Sequence, residues 1–176
     1  MAATTLDRAL KAGICVLTVA FATVVAATVR ETVVSAGDSA PAFSITTDDG
    51  RLVTPSNFGG RLLVLNFWAT WCETCLVELP SLNQFAAQMK DSGVVVLAIS
   101  VDTNEKIYRQ FLERARPVFA TARDPEADIS TRFGTFQFPE TYIINDKGKV
   151  LEKVVSNRDW MTPQVLSTVR GFLAGT

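Results

Sequence analysis

Residues 60–80 read GRLLVLNFWATWCETCLVELP. Leu62 to Trp68 is an apolar run of strand length, suited to a strand buried on both faces in the middle of a sheet. A short turn follows. From Cys72 to about Lys90 the apolar residues fall at helical spacing, through Leu76, Leu79, Leu82, Phe85, Ala86 and Met89. The stretch therefore reads as a buried strand passing through a tight turn into a helix, with Cys72 at the helix N-terminus. Free backbone N–H groups and the positive end of the helix dipole favour a thiolate there. Cys75, one turn further on, is within reach of a disulfide. Cys72 is the expected attacker of a substrate disulfide and Cys75 the resolver of the mixed disulfide.

Outward from this stretch the pattern alternates. Ala42–Thr46 and Arg51–Thr54 flank Asp48-Asp49-Gly50, a hairpin signal. Val94–Val101 is a second buried strand. Asn104–Ala115 is a helix with Ile107, Phe111 and Leu112 on one side, followed by a loop over Arg116–Asp124. Asp124-Pro125 looks like an N-cap and a first-turn proline opening a short helix to about Phe133. Thr141–Asn145 and Lys149–Val155 pair across Asp146-Lys147-Gly148, and Thr162–Leu173 closes the chain as a helix. Strands alternating with helices, then a hairpin and a helix, imply an α/β sandwich with a mixed sheet.

Composition narrows the chemistry. The 176 residues suffice for one ordinary domain, and 48% of them are hydrophobic, enough to build a core. A net charge of −1 with scattered basic residues shows no nucleic-acid footprint. Arg109, Arg114 and Arg116 read as an ordinary solvated face. The chain has no histidine, which removes Ser-His-Asp and Cys-His catalysis and most imidazole metal sites. With three cysteines there is no stabilising disulfide framework. A half zinc site at Cys72 and Cys75 lacks a second pair to complete it, so no metal site is expected.

Ala12 to Val29 is uncharged and mostly apolar. As a helix it is about 27 Å long, near the thickness of a bilayer core. Arg8 and Lys11 precede it, so its N-terminus is expected on the cytoplasmic side. The expected organisation is a membrane anchor over 1–30, a linker over 31–40 and a folded domain over 41–176. The catalytic domain is then extracytoplasmic. The competing reading is a signal peptide cleaved near Ala36, although the run is long for one and Arg30-Glu31 separates it from that point.

The chain resembles the thioredoxin superfamily, and more narrowly the membrane-anchored TlpA/ResA type related to the cytochrome c maturation thioredoxins. Ala40-Pro41-Ala-Phe, residues 60–72 and Phe138-Pro-Glu-Thr-Tyr-Ile-Ile-Asn carry the resemblance. It implies a thioredoxin-like three-layer α/β/α sandwich with a mixed central sheet and an N-terminal β-hairpin, preceded by one transmembrane helix. It implies a thiol–disulfide oxidoreductase with no cofactor beyond the Cys72–Cys75 redox disulfide. The implied substrates are oxidised proteins such as apocytochrome c, and the implied electron donor is a membrane thiol carrier of the CcdA or DsbD type.

The resemblance also assigns residues. Pro139 matches the cis-proline beside the dithiol, exposing the Phe138 backbone to an extended substrate and keeping metals off the thiols. Glu78 matches a partly buried glutamate, which burial would keep protonated to higher pH and which then manages the Cys75 proton. Asn66 stands where ordinary thioredoxins carry a titratable aspartate. Trp71 is expected to shield Cys72 and offer substrate an apolar contact, whereas Trp68 is core. Pro80 is expected to kink the helix. The pair's interior departs from many relatives: Thr74 replaces a proline, and Glu73 puts a negative charge beside the nucleophile. That charge favours a reductant over an oxidant.

Two rival functions are open at this stage. A peroxiredoxin-like thiol peroxidase needs an isolated cysteine in a Pro-x-x-x-[Thr/Ser]-x-x-Cys setting, whereas Cys72 follows Trp-Ala-Thr-Trp and has a close partner. A redox-inactive tethered binding module leaves the intact pair unused.

Overall fold

A computed structural model of the chain describes residues 2–28 and 33–175, with side chains of the first helix described over 10–24. The chain forms two compact units, Met1–Thr32 and Val33–Thr176. The first contains helix α1, Ala2–Thr28. Its Leu10, Ile14, Val16, Leu17, Val19, Phe21 and Val24 side chains are all exposed. Among the described residues no helix is long and apolar enough to cross a membrane, so the expected transmembrane helix is not shown. The Arg8 side chain and Arg30-Glu31, which flank the expected span, lie outside the described residues.

The second unit is built on a five-stranded sheet. Its strands are β3 (Leu62–Trp68), β4 (Val94–Ser100), β5 (Ala120–Arg123), β6 (Glu140–Asn145) and β7 (Val150–Val155), in the order β5-β4-β3-β6-β7. Strand β3 is central: it runs parallel to β4 and antiparallel to β6, and all seven of its residues are buried. That double burial is why it reads as a continuous apolar run. A separate hairpin, β1 (Ile45–Thr46) with β2 (Leu52–Val53), turns through Asp48–Gly50 as its sequence indicates.

Strand alternation sends the side chains of β3 to opposite faces of the sheet. Leu63, Leu65 and Phe67 face one cluster with Phe43, Ile129, Phe133 and Tyr142. Leu62 and Val64 face the other, with Leu82 and Phe85 from helix α2 (Glu73–Met89) and Val169 and Leu173 from helix α5 (Pro163–Ala174). Helix α3 (Glu105–Ala115) packs Tyr108 and Phe111 against Trp68 at the C-terminal end of β3, with ring centroids 6.2 and 5.1 Å away. Trp68 is thus a core residue, as read. This is a thioredoxin-like α/β fold with a mixed sheet.

Three details differ from the sequence reading. Residues 120–123, expected as loop, form edge strand β5. The short helix α4 begins at Asp128 rather than after Asp124. Asp124 still serves it, accepting a hydrogen bond from the Ile129 N–H at 2.7 Å. The stretch read as a linker belongs to the folded unit from Val33 onward. Val34 is buried in the core and donates its N–H to Phe133, and Ser39 bridges to Lys149.

Candidate active site

The site forms where β3 ends and α2 begins. Its turn is held by a carboxylate that the sequence did not single out. Buried Asp102, just past β4, accepts the Thr70 N–H at 2.9 Å and the Thr70 hydroxyl at 2.6 Å, while Ser100 donates its hydroxyl to it at 2.5 Å. The Val101 N–H donates to the Trp68 carbonyl at 3.0 Å. These bonds pin the turn to the neighbouring strand and fix where Cys72 emerges. Nothing local in the sequence marks Asp102, because the partners lie 32 residues apart.

Cys72 is the N-cap residue of α2, with extended backbone angles, and it is joined to Cys75 by a disulfide. The Cys75 N–H donates to Cys72 Sγ at 3.2 Å. A sulfur at an N-cap takes the place of the side-chain oxygen that normally satisfies a first-turn donor, and the same N–H stabilises a thiolate once the disulfide is reduced. Both cysteines are nearly covered, at 7% and 5% exposure. Exposed Trp71 stands on one flank, its ring 6.0 Å from that of Phe138 in an edge-to-face contact. The Phe138–Pro139 peptide bond is cis. Thr74 connects the two halves: its hydroxyl is 3.5 Å from Cys72 Sγ and 3.5 Å from the Phe138 carbonyl oxygen. Glu73 is exposed in the first turn of α2.

Behind the pair lies a polar cluster. Glu78 is only 3% exposed. One carboxylate oxygen accepts the Trp160 indole N–H at 2.7 Å and the Arg158 backbone N–H at 3.3 Å; the other accepts the Asn66 amide at 3.4 Å. Asn66 also donates to Thr141 Oγ1 at 2.8 Å. Burial raises the Glu78 pKa above the ordinary carboxylate value, and the three hydrogen bonds hold it back only in part. Asn66 and Glu78 were both named from sequence, and the fold brings them into contact. Trp160, Arg158 and Thr141 were not: they reach the site from β6 and the segment before α5, some 75 to 82 residues away. Pro80 lies inside α2, as expected.

Pro139 is buried, and the next residue, Glu140, is buried too. Glu140 is paired with Lys153 at 2.8 Å and accepts the Tyr142 hydroxyl at 3.0 Å. The pair ties the start of β6 to β7 directly after the proline. Among the described residues no cluster of three or more metal-ligating side chains occurs.

A dithiol presented in this way, at the end of this sheet, places the chain in the class of thioredoxin-like thiol–disulfide oxidoreductases. Residues 36–153 match the AhpC/TSA family, and the chain belongs to that family. Within it the chain is similar to the thiol–disulfide oxidoreductase ResA of Geobacillus thermodenitrificans, with 30% identity over 127 residues, covering 72% of each chain. ResA of Bacillus subtilis is 29% identical over 121 residues, covering 69% of this chain and 68% of that one. Among solved structures, a thiol:disulfide interchange protein DsbE from Chlorobium tepidum superposes with a TM-score of 0.72 at 29% identity, covering 80% of this chain and 99% of that one.

Proposed function

We propose that this oxidoreductase works in the reducing direction, on protein disulfides outside the cytoplasm, tethered to a membrane by α1. Apocytochrome c is the kind of substrate we assign to it, and a membrane thiol carrier of the CcdA or DsbD type is its electron donor. The observation that carries the reading is the N-cap position of Cys72, one turn ahead of Cys75 and beside the Phe138–Pro139 loop. The ResA and DsbE relatives support it, as do the exposed apolar side chains of α1.

The Cys72 thiolate attacks one sulfur of the substrate disulfide, that S–S bond breaks, and the departing sulfur takes a proton. A mixed disulfide links Cys72 to the substrate. Cys75 gives up its proton, with the buried Glu78 carboxylate as the acceptor, and attacks Cys72 Sγ. The substrate leaves with both sulfurs reduced, and the Cys72–Cys75 disulfide has taken the oxidation. The carrier dithiol then returns two electrons. Asn66 has no titratable proton, so Glu78 is the acid–base group of this site.

The test is a Cys75→Ser variant of the full chain in its native membranes. A stable adduct through Cys72, released by dithiothreitol and absent when Cys72 is also Ser, is the expected result. Failure to form any adduct favours a redox-inactive module. Peroxide consumption without reduction of insulin or apocytochrome c identifies a thiol peroxidase instead.

A further inference from the structure

The segment between β4 and β5 adds to the site a cleft of about 450 Å3, lined by Thr70, Trp71, Thr103, Ile107, Phe111 and Arg114. It begins at the residue next to Cys72, so anything disulfide-linked to Cys72 lies beside it. Its walls are mainly apolar. Trp71 and Ile107 are 67% and 50% exposed, so both present apolar surface to whatever enters the cleft.

Two groups give the cleft a charge pattern. Asp102 contributes to the wall, but its oxygens are occupied by Thr70 and Ser100 and it is buried. Arg114 is exposed, bonds only to the Gln110 carbonyl of its own helix at 3.2 Å, and makes no ion pair among the described residues. The neighbouring Arg109 differs in this respect, being paired with Asp48 and Glu105. A cleft with mainly apolar walls, a buried carboxylate already engaged by Thr70 and Ser100, and an exposed cation without an ion-pair partner among the described residues complements an apolar side chain and a carboxylate.

Spacing refines the match. Ile107, Phe111 and Arg114 fall at i, i+4 and i+7 on one face of α3. From Ile107 to Arg114 the helix rises about 10 Å, which an extended chain covers in about three residues. We propose that the cleft between Trp71 and the Ile107–Phe111–Arg114 face of α3 is a substrate-specificity groove. It receives a polypeptide segment beside the substrate's reacting cysteine, carrying a large apolar residue and an acidic residue about three positions apart. This rests on the disulfide-reductase reading above and adds the class of substrate sequence that the site selects.

The experiment uses the reduced full chain and symmetric disulfides of decapeptides with one cysteine. On both sides of the cysteine the peptides carry Leu with Asp three positions on, Leu with Lys three positions on, or only Gly and Ser. Hydroxyethyl disulfide serves as a small neutral reference. The Leu/Asp peptide is expected to be reduced about threefold faster than the Leu/Lys peptide, the scale of an exposed ion pair. Arg114→Glu reverses that order, Arg114→Gln brings the ratio close to one, and Arg114→Lys keeps the preference. A ratio is read within each variant, so loss of folded protein lowers both rates without reversing it. If the unsubstituted protein reduces hydroxyethyl disulfide but treats the Leu/Asp and Leu/Lys peptides alike, the groove is refuted and the reductase reading stands. An Arg114→Glu variant that keeps the parent's preference refutes it equally. If hydroxyethyl disulfide is not reduced at all, the reductase reading falls and the groove with it.

Discussion

Glu78 holds a carboxylate inside the domain with three N–H donors around it, one helical turn after Cys75. Its raised pKa has a definite consequence for stability. Below the ordinary value of 4.5 the group is protonated in both folded and unfolded chains. As pH rises, the unfolded chain loses the proton first, so stability falls until the higher folded pKa is passed and then levels off. Glu78→Gln removes this slope. Its stability relative to the parent, followed by thermal unfolding from pH 4 to pH 8, is expected to improve as pH rises above the ordinary carboxylate value and then to level off. A parallel pair of profiles would show that Glu78 is not held as a weak acid. The same variant is expected to slow resolution of the mixed disulfide about 100-fold near neutral pH, the lower end of what a positioned acid–base group contributes. Glu73 acts on the other sulfur. Its charge opposes the thiolate of Cys72, so Glu73→Gln stabilises the reduced form and raises the reduction potential by about 10–20 mV. The parent's potential is expected to lie below about −180 mV in glutathione equilibration. A parent value above that would mark an oxidant.

At the scale of the element, α3 is the piece that makes this domain more than a strand–turn–helix dithiol. It is fastened by ring packing on Trp68, by the Glu105–Arg123 ion pair to β5 at 3.3 Å and by a hydrogen-bond cluster on Asp48. The buried Tyr108 hydroxyl donates to Asp48 of the β1–β2 turn at 2.5 Å, and Thr121 and Arg109 donate to the same carboxylate at 2.7 and 2.6 Å. Burial first, and then the Asp48 bond, raises the Tyr108 pKa, so the phenol remains a donor throughout the working pH range. Tyr108→Phe is expected to cost about 2 kcal/mol, typical of a hydrogen bond to a charged group. Hydrogen exchange should quicken in Glu105–Ala115 while β3 and β4 keep their protection. Equal quickening across the whole sheet would contradict a separate attachment for α3. This helix also illustrates what was legible beforehand. Its position followed from the spacing of Ile107, Phe111 and Leu112; the structure adds a cap that the sequence reading did not name, Asn104, which accepts the Ile107 N–H at 3.1 Å. Strands β3 and β4 and helix α2 were legible for the same reason: their signals are local and periodic. Strand β5 was not, because Ala-Thr-Ala-Arg carries little apolar weight and its placement depends on pairing with β4. The partners of Glu78 were hidden for a related reason. Trp160 reads as one more core aromatic until folding brings its N–H across some 80 residues. Arg114 read as part of a solvated face because helix periodicity does not say that Trp71 will stand across from it.

At the scale of the molecule, the question is how a domain with its own core relates functionally to an N-terminal helix covered in exposed apolar side chains. From Val33 onward the chain holds three hydrophobic clusters and its complete disulfide site, so its chemistry needs nothing from α1. The seven large apolar residues exposed among the described side chains of α1 are a different matter. Full burial of one such side chain is worth about 1.5–3 kcal/mol, so covering them all by lipid is worth more than about 10 kcal/mol before ordering costs. That exceeds the roughly 8 kcal/mol of a micromolar complex. The full chain is therefore expected to sediment with phosphatidylcholine vesicles and to stay with them through 1 M salt and carbonate washing. Residues 33–176 are expected to remain in the supernatant and to reduce insulin at the full-length rate with dithiothreitol as donor. Salt separates the two physical causes of attachment: at 1 M the screening length is only about 3 Å, so charge-driven binding is released and apolar burial is not. Release of the full chain by salt would leave α1 without an anchoring role. Loss of insulin reduction in the truncated chain would show instead that the site depends on α1.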